Sequence, residues 1–149
     1  MERDDSDLVG RTFEVRAPFL VTAEKIANFC AAVGDHNPLY VDPEAARTGP
    51  YGEIIAPPAF VASFHYADSI FDQLPHFGSG GLMAGIDFEL EATIRAGDSI
   101  TVSSEVKEIY EKTGRTGTMI FVVIRSTLIN HHGNVVARID HRMMNRARP

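Results

Sequence analysis

The spacing of apolar residues changes along the chain and divides it into two parts. Between residues 22 and 73 they recur every three or four positions, which is typical of helices that bury one face. From Leu82 onward they alternate with polar residues, which is typical of half-buried strands. Turn formers interrupt this second part, so we predict four long strands joined by hairpins. These strands are expected around residues 86–94, 100–106, 119–128 and 135–144, with a hairpin connection at residues 112–117. The third strand is the most apolar and is expected to be central.

The first part predicts a short strand and then a helix with clear ends. Residues 12–19 alternate loosely and predict the strand, with Pro18 near an edge. Thr22 is a favourable N-cap and Gly34 a favourable stop signal, so a helix is predicted between them. Residues 43–47 predict one further helical turn.

A second helix is predicted to begin at Pro57 and Pro58 and to run to about Gln73. Proline is tolerated there because an N–H in the first turn has no partner within the helix. This helix is apolar over most of its circumference, which predicts that it is buried. An antiparallel sheet wrapped around one long, buried central helix is an α+β arrangement, the hot-dog fold.

Composition narrows the class of protein. A chain of 149 residues is expected to form a single domain over residues 10–149, after a disordered tail at residues 1–9. The net charge of −6 argues against nucleic acid or an anionic membrane surface as a partner. The polar, acidic start and the lack of an apolar run near ~18 residues predict no signal peptide and no membrane helix, hence a cytoplasmic protein. The single cysteine, Cys30, builds neither a disulfide nor a zinc site, and we expect no metal and no cofactor.

Turn formers and polar residues are densest between residues 34 and 60, in the region between the two helices. The sequence reads GDHNPLY at residues 34–40 and GEIIAPPAF at residues 52–60. Polar side chains in a loop between packed helices are typical of a functional site. The residues alone leave a structural alternative open, because Asp35 and Asn37 also bond neighbouring backbone amides in such turns.

These residues carry a family resemblance. The stretch GDHNPLYVDPEAARTGPYGEIIAPPAF resembles the MaoC-like hydratase family, and within it the FAS1-like dehydratase branch, or MaoC dehydratase N-terminal domain. The resemblance extends over about residues 10–146. It implies a hot-dog protein that binds acyl-CoA or acyl carrier protein thioesters. It also implies a homodimer, or a heterodimer with a catalytic MaoC-like subunit.

Compared with the family, the site shows two departures. The catalytic motif of the family reads G-D-x-N-P-L-H, and its aspartate and histidine hold the water that adds to an enoyl thioester, which is general acid–base work. The aspartate corresponds to Asp35 and the asparagine to Asn37, but the histidine corresponds to Tyr40. The family also has a His-Gly pair at the start of the central helix, whose glycine amide bonds the thioester oxygen. That pair corresponds to Pro57 and Pro58, which have no N–H.

The candidate site residues follow from the motif and from its missing parts. His65, on the predicted buried helix, is the best substitute base in the chain, although a lone histidine there is also typical of a core residue. The candidate catalytic residues are Asp35, Tyr40 and His65, with His36, in the variable slot of the motif, as a weaker candidate. The candidate substrate-binding residues are Asn37, Pro57, Pro58, Ala59, Phe60, Phe64 and Gly85.

Several of these residues have a second interpretation. Phe60 and Phe64 line an acyl tunnel or belong to the plain core. Gly85 ends a glycine-rich stretch that lets the sheet approach the helix or the substrate closely. Tyr51 is interpreted as a packing residue. Four arginines are either surface residues or contacts for the phosphates of coenzyme A or a carrier protein: Arg95, Arg115, Arg142 and Arg146.

Three functions remain open from the sequence. The first is a subunit of an (R)-specific enoyl-thioester hydratase or 3-hydroxyacyl-thioester dehydratase, with catalysis supplied by a partner. The second is a stand-alone enzyme with a rebuilt site that adds water or an amine to an unsaturated acyl thioester. The third is a non-catalytic scaffold that binds acyl thioesters.

Overall fold

The computed structural model describes residues 7–14, 17–64, 74 and 79–147. Within these ranges an antiparallel sheet of six strands accompanies three α-helices and one 3-10 helix, which confirms the predicted α+β class. The strands are β1 Thr12–Glu14, β2 Phe19–Leu20, β3 Ser79–Leu90, β4 Ser99–Gly114, β5 Gly117–Asn130 and β6 Val135–Arg146. The helices are α1 Ala23–Val33, α2 Pro38–Val41, α3 Pro43–Thr48 and the 3-10 helix Pro58–Ser63.

The strand order in the sheet is β1-β4-β5-β6-β3, and β2 also pairs with β4. Strand β5 lies in the middle, and its side chains Val122, Ile124 and Leu128 are buried. This confirms the prediction that the most apolar strand is central. The β4–β5 hairpin closes at the pair Gly114 and Gly117, so its connection is shorter than the predicted one at residues 112–117.

The amino-terminal prediction of one strand is wrong in detail. Two short strands, β1 and β2, both pair with β4, and Pro18 lies between them, where it cannot donate a ladder hydrogen bond. Ahead of β1, residues 7–10 form a turn, and the Gly10 N–H donates to the Val106 carbonyl at 2.8 Å. Residues 1–6 of the predicted tail lie outside the described residues.

Helix α1 has the ends that the sequence predicts. The Thr22 side chain accepts a hydrogen bond from the Lys25 N–H at 3.1 Å, as an N-cap does. Gly34 ends the helix with a φ of 74°, in the left-handed region where only glycine is free of strain, and its N–H bonds the Cys30 carbonyl. The cap at Gly34 determines where the polar stretch of residues 34–60 begins, which we call the polar loop.

The second helix begins where it is predicted but has a different form. It is a 3-10 helix with short-range bonds: the Phe60 N–H donates to the Pro57 carbonyl at 2.9 Å, and the Phe64 N–H donates to the Val61 carbonyl at 3.1 Å. No side chain of the described residues caps it, and short i→i+3 bonds satisfy a helix end that has no cap. Because Phe64 has extended backbone angles, the prediction of an α-helix unbroken through this point is wrong. Its predicted continuation over residues 65–73 lies outside the described residues.

Strand β3 ends earlier than the alternating pattern predicts. Its pairing with β6 stops at Leu90, because the next two amides, of Glu91 and Ala92, both donate to the Val136 carbonyl. Beyond this point the chain pairs with the polar loop instead. The Ala56 N–H donates to the Ile94 carbonyl at 2.8 Å, and the Ala96 N–H donates to the Ile54 carbonyl at 3.0 Å. The apolar residue Ile94 is therefore part of the core without being part of the strand.

The main core lies between α1, the 3-10 helix and the sheet. It includes Ile26 and Cys30 of α1, Phe60 of the 3-10 helix, and Leu128 and Ile139 of the sheet. Its aromatic rings meet edge to face, in the pairs Phe19–Phe64, Phe29–Phe60 and Phe60–Phe64. Each such pair stabilises the fold by about 0.5–1.5 kcal/mol beyond burial of area. No helix in the described part of the chain is long and apolar enough to cross a membrane.

Strand β3 is an edge strand with exposed apolar side chains. In the described part of the sheet it pairs with β6 on one side only. Large apolar residues along it are exposed: Leu82, Met83, Ile86, Phe88 and Leu90. Long, apolar and exposed edges are typical of surfaces that pair with another chain.

Candidate functional site

The polar loop that follows α1 is built from side chains that bond backbone amides. The Asp35 carboxylate accepts from the Asn37 N–H at 3.1 Å, and the Asn37 side chain accepts from the Leu39 N–H at 3.0 Å. Asn37 thereby caps α2, a short helix within the stretch that the sequence predicts as a loop. Asp42 caps α3 in the same way. The structural roles left open for Asp35 and Asn37 are therefore present, and they fix the loop that carries Tyr40.

Tyr40, on α2, is the motif residue that reaches a cleft. Its side chain is half-buried and packs against the main core. Burial raises the pKa of its phenol, and the nearby acidic groups Asp35, Cys30 and Tyr51 raise that pKa further. The Tyr40 phenol therefore keeps its proton at neutral pH, so it is able to donate a hydrogen bond and is not suited to act as a base.

The cleft has a volume of about 330 Å³ and lies between the start of the 3-10 helix and the segment after β3. We call it the Tyr40 cleft. Its walls include Tyr40, Tyr51, Pro57, Pro58, Leu90 and Thr93. Three of the sequence-predicted site residues, Tyr40, Pro57 and Pro58, thus line one cleft.

The helix end at the Tyr40 cleft has an unusual donor pattern. Pro57 is extended and Pro58 is the first residue of the 3-10 helix, so neither presents an N–H. The first N–H of this helix is that of Ala59, whose side chain is exposed. A helix start normally offers several free N–H groups to an anion or a polarised oxygen. Here the two residues that line the cleft offer none.

The structure separates the other candidates from the Tyr40 cleft. His36 and Asn37 are exposed, and Phe60 and Phe64 are buried in the aromatic part of the core. Gly85 lies on β3, five residues before Leu90, which places it about 16 Å along the strand from the cleft. A Cβ added at Gly85 would stand 3.1 Å from an Arg142 side-chain nitrogen. His65 lies outside the described residues.

Tyr51 and Arg95 have roles at the site that the sequence did not indicate. Tyr51, interpreted as a packing residue, lines the Tyr40 cleft and is exposed. Arg95 donates to the Tyr51 carbonyl at 3.1 Å and to the Glu53 carboxylate at 2.8 Å. The available signal was the position of Tyr51 among the turn formers of residues 49–52, where an aromatic ring has no regular core face to occupy.

The arginines proposed for phosphate binding are distributed over the molecule. Arg95 pairs with Glu53, and Arg142 pairs with Asp87 at 3.1 Å on the outer face of the sheet. Arg115 and Arg146 are exposed, at the β4–β5 turn and at the end of β6. Within residues 7–14, 17–64, 74 and 79–147, no three histidine, cysteine, aspartate or glutamate side chains are grouped to hold a metal ion.

Comparisons with known proteins agree with this architecture. The sequence model of the family described as "FAS1-like, dehydratase domain region" matches residues 7–139. A UPF0336 protein of Streptomyces avermitilis is 39% identical over 115 residues, which cover 74% of this chain and 76% of the relative. The crystal structure of the MaoC-like dehydratase from Rhodospirillum rubrum is 27% identical, covers 97% of each chain and gives a TM-score of 0.72.

A further likeness concerns the fold. A chain of the C-terminally truncated HadBC (3R-hydroxyacyl-ACP dehydratase) complex from Mycobacterium tuberculosis superposes with a TM-score of 0.76 at 24% identity. The match covers 93% of this chain and 98% of that chain. The predicted hot-dog fold is thereby confirmed. The chain belongs to the FAS1-like dehydratase branch of the MaoC-like hot-dog family.

Proposed function

We propose that this protein is the acyl-thioester-binding subunit of an (R)-specific enoyl-thioester hydratase or 3-hydroxyacyl-thioester dehydratase, and that a hot-dog partner supplies the acid–base pair. One observation carries the proposal: Tyr40, whose position corresponds to the histidine of the family motif, lines the cleft with a raised phenol pKa. The substrate is an acyl-CoA or an acyl carrier protein thioester.

The acid–base chemistry of hydration does not suit Tyr40. A group that takes a proton from water and returns it works best with a pKa near the operating pH, as histidine has at about 6.5. The ordinary pKa of tyrosine is about 10, and that of Tyr40 is raised by burial and by Asp35. Loss of a positioned acid or base typically lowers a rate by about 10²–10⁴.

The start of the 3-10 helix adds a second deficit. The enolate formed during the reaction carries negative charge on the thioester oxygen, and a backbone N–H aimed at that oxygen stabilises it. Pro57 and Pro58 line the cleft without an N–H. Removing one such donor typically costs about 10²–10³ in rate. Together the two deficits leave a cleft suited to binding and poorly suited to turnover.

The exposed edge of the sheet supports a partner. The apolar side chains Ile86, Phe88 and Leu90 of β3 need cover, and a second hot-dog chain presents a matching edge and helix. A second copy of this chain would bring a second Tyr40 and no motif histidine. A heterodimer therefore completes the site where a homodimer does not, and the HadBC structure is itself a complex.

The test combines this chain with a catalytic hot-dog chain that has an intact G-D-x-N-P-L-H motif. We expect the mixture to hydrate crotonyl-CoA faster than the catalytic chain does alone. Phe88→Glu in this chain should abolish the gain, because it places a charge on the exposed apolar edge. Leu20→Glu is the matched control: Leu20 is 52% exposed, close to the 47% of Phe88, but it lies on β2, away from that edge. Equal effects of the two variants, or no gain on mixing, would contradict the proposal.

A second candidate function is a stand-alone enzyme that adds water or an amine to an unsaturated thioester. It is favoured by Asp35, whose charge, after burial, is one of the causes that raise the pKa of the Tyr40 phenol. In that case Tyr40→Phe and His65→Ala should each abolish turnover by the chain alone while leaving its far-ultraviolet circular dichroism unchanged. The third candidate, a scaffold, predicts thioester binding and no gain in turnover from any hot-dog partner.

A further inference from the structure

Tyr51 brings a second phenol to the Tyr40 cleft. It lies in a turn closed by the Gly52 N–H, which donates to the Gly49 carbonyl at 3.3 Å, and Gly52 has a φ of 73° that favours glycine. The Tyr51 side chain is 41% exposed and lines the cleft together with Tyr40. Its ring is therefore accessible to a molecule that enters the cleft.

Arg95 contacts both the backbone and the ring of Tyr51. Its Nη1 donates to the Tyr51 carbonyl at 3.1 Å and to Glu53 Oε1 at 2.8 Å, and its guanidinium lies 5.8 Å from the centre of the Tyr51 ring. The backbone of Arg95 is fixed in turn, since its N–H donates to the buried Asp98 carboxylate at 2.8 Å. A cleft side chain supported by a second layer of contacts is typical of a binding group.

Both tyrosines line a cleft in which the first two residues of the helix start, Pro57 and Pro58, offer no donor. Pro57 and Pro58 line it without an N–H, whereas each tyrosine has one hydroxyl to donate. Burial and the neighbouring Asp35 raise the pKa of Tyr40, so its hydroxyl keeps its proton. A carbonyl oxygen has two lone pairs and accepts two such bonds.

We infer that Tyr40 and Tyr51 form a two-phenol donor site for the carbonyl oxygen of an acyl thioester, in place of the amide that Pro58 lacks. The inference rests on the proposed function, because it names the group of the thioester that the cleft holds. It makes Tyr51 a substrate-contacting residue and Arg95 a positioning residue.

The test uses the full chain and two ligands, crotonyl-CoA and the thioether S-butyl-CoA, which lacks the carbonyl oxygen. Isothermal titration calorimetry measures the Kd of each ligand for the unaltered chain and for Tyr40→Phe, Tyr51→Phe and Tyr110→Phe. Tyr110 is the matched control, because it stacks on Phe121 with ring centroids 4.9 Å apart, on the β4–β5 hairpin. The infrared band of a ¹³C-labelled thioester carbonyl reports hydrogen bonding to that oxygen directly.

We expect crotonyl-CoA to bind more tightly than the thioether. Loss of either cleft phenol should raise the Kd of crotonyl-CoA by about 3- to 10-fold, which is the effect of one hydrogen bond. The Kd of the thioether should not change. The carbonyl band should shift to lower frequency on binding and move partly back in Tyr51→Phe, whereas Tyr110→Phe should change nothing. Because Tyr51 is exposed, its variant is expected to fold even if Tyr40→Phe does not.

Failure of this inference and failure of the proposed function give different results. The two-phenol site is overturned if the two ligands bind with equal affinity and the carbonyl band either does not shift on binding or does not respond to Tyr51→Phe. Those results would leave thioester binding intact. If neither ligand binds the chain, the proposed function itself fails, and the inference fails with it.

Discussion

Replacing Phe60 by alanine tests whether this residue belongs to the core or to an acyl tunnel, the two interpretations that the sequence allows. In the structure its side chain is 1% exposed and meets Phe29 and Phe64 edge to face, with ring centroids 5.5 and 5.8 Å apart. Truncation of a buried phenylalanine to alanine lowers the free energy of unfolding by about 3–5 kcal/mol. For a chain of this size, that loss corresponds to a fall in Tm of about 6–20 °C.

The assay is urea and thermal unfolding followed by far-ultraviolet circular dichroism, since the chain has no tryptophan to report by fluorescence. Phe88→Ala provides the matched control at a protein concentration where the chain is monomeric. Phe88 is 47% exposed on β3, so the same truncation should change the free energy of unfolding by less than about 1 kcal/mol. A loss below about 1 kcal/mol for Phe60→Ala would refute the core assignment, especially if the variant gained affinity for longer acyl chains. An equal loss for Phe88→Ala would refute the exposed edge.

Three further predictions concern the backbone, pH and thiol chemistry. Gly34→Ala should destabilise the fold by about 1–2 kcal/mol in urea unfolding, because φ is 74° there and an added Cβ meets no atom within 4 Å, so only backbone strain contributes; no loss would contradict the left-handed cap. Burial works to raise the pKa of Asp140, but hydrogen bonds from Arg125 and Lys107 lower it below its usual value. The stability that Asp140 provides is therefore complete above the ordinary carboxyl range and is lost as pH falls through the lowered pKa. The difference in the free energy of unfolding between the unaltered chain and Asp140→Asn should therefore become smaller on acidification. A difference that does not change with pH would exclude this linkage. Burial, and secondarily Asp35, raise the pKa of the Cys30 thiol, so iodoacetamide should modify it slowly in the native chain and quickly in urea; equal rates by mass spectrometry would contradict its burial.

The parts of the fold that sequence reasoning located correctly depend on local rules. Thr22 and Gly34 end α1 as predicted, because an N-cap hydroxyl and a left-handed glycine act within a single turn. The central position of β5 followed from its apolar composition, which is also a local property. Where a residue type alone determined the geometry, the prediction needed no knowledge of the rest of the molecule.

The errors arose where backbone groups take hydrogen-bond partners that a local sequence pattern does not specify. Alternation predicted a strand continuing to Ile94, but the backbone of residues 54–56 takes the hydrogen bonds of that segment. The helix at Pro58 was predicted as an α-helix, and its 3-10 form depends on how the uncapped first turn satisfies its bonds. The sequence contains no signal for either set of hydrogen bonds.

The residues of the candidate site likewise divide into those that the sequence identified and one that it did not. The resemblance identified Tyr40, Pro57 and Pro58, and all three line one cleft. Tyr51 was missed, because its place at the cleft depends on Arg95, which is 44 residues away in sequence. A contact of that range becomes visible only in three dimensions.

The central claim is that this chain binds an acyl thioester without turning it over alone. The most direct measurement is the hydration of crotonyl-CoA by the purified chain, followed by the loss of enoyl-thioester absorbance, at a concentration shown by calorimetry to saturate the cleft. The account predicts saturable binding with a hydration rate at the limit of detection. A rate within about 100-fold of a typical kcat of ~10 s⁻¹ would contradict it.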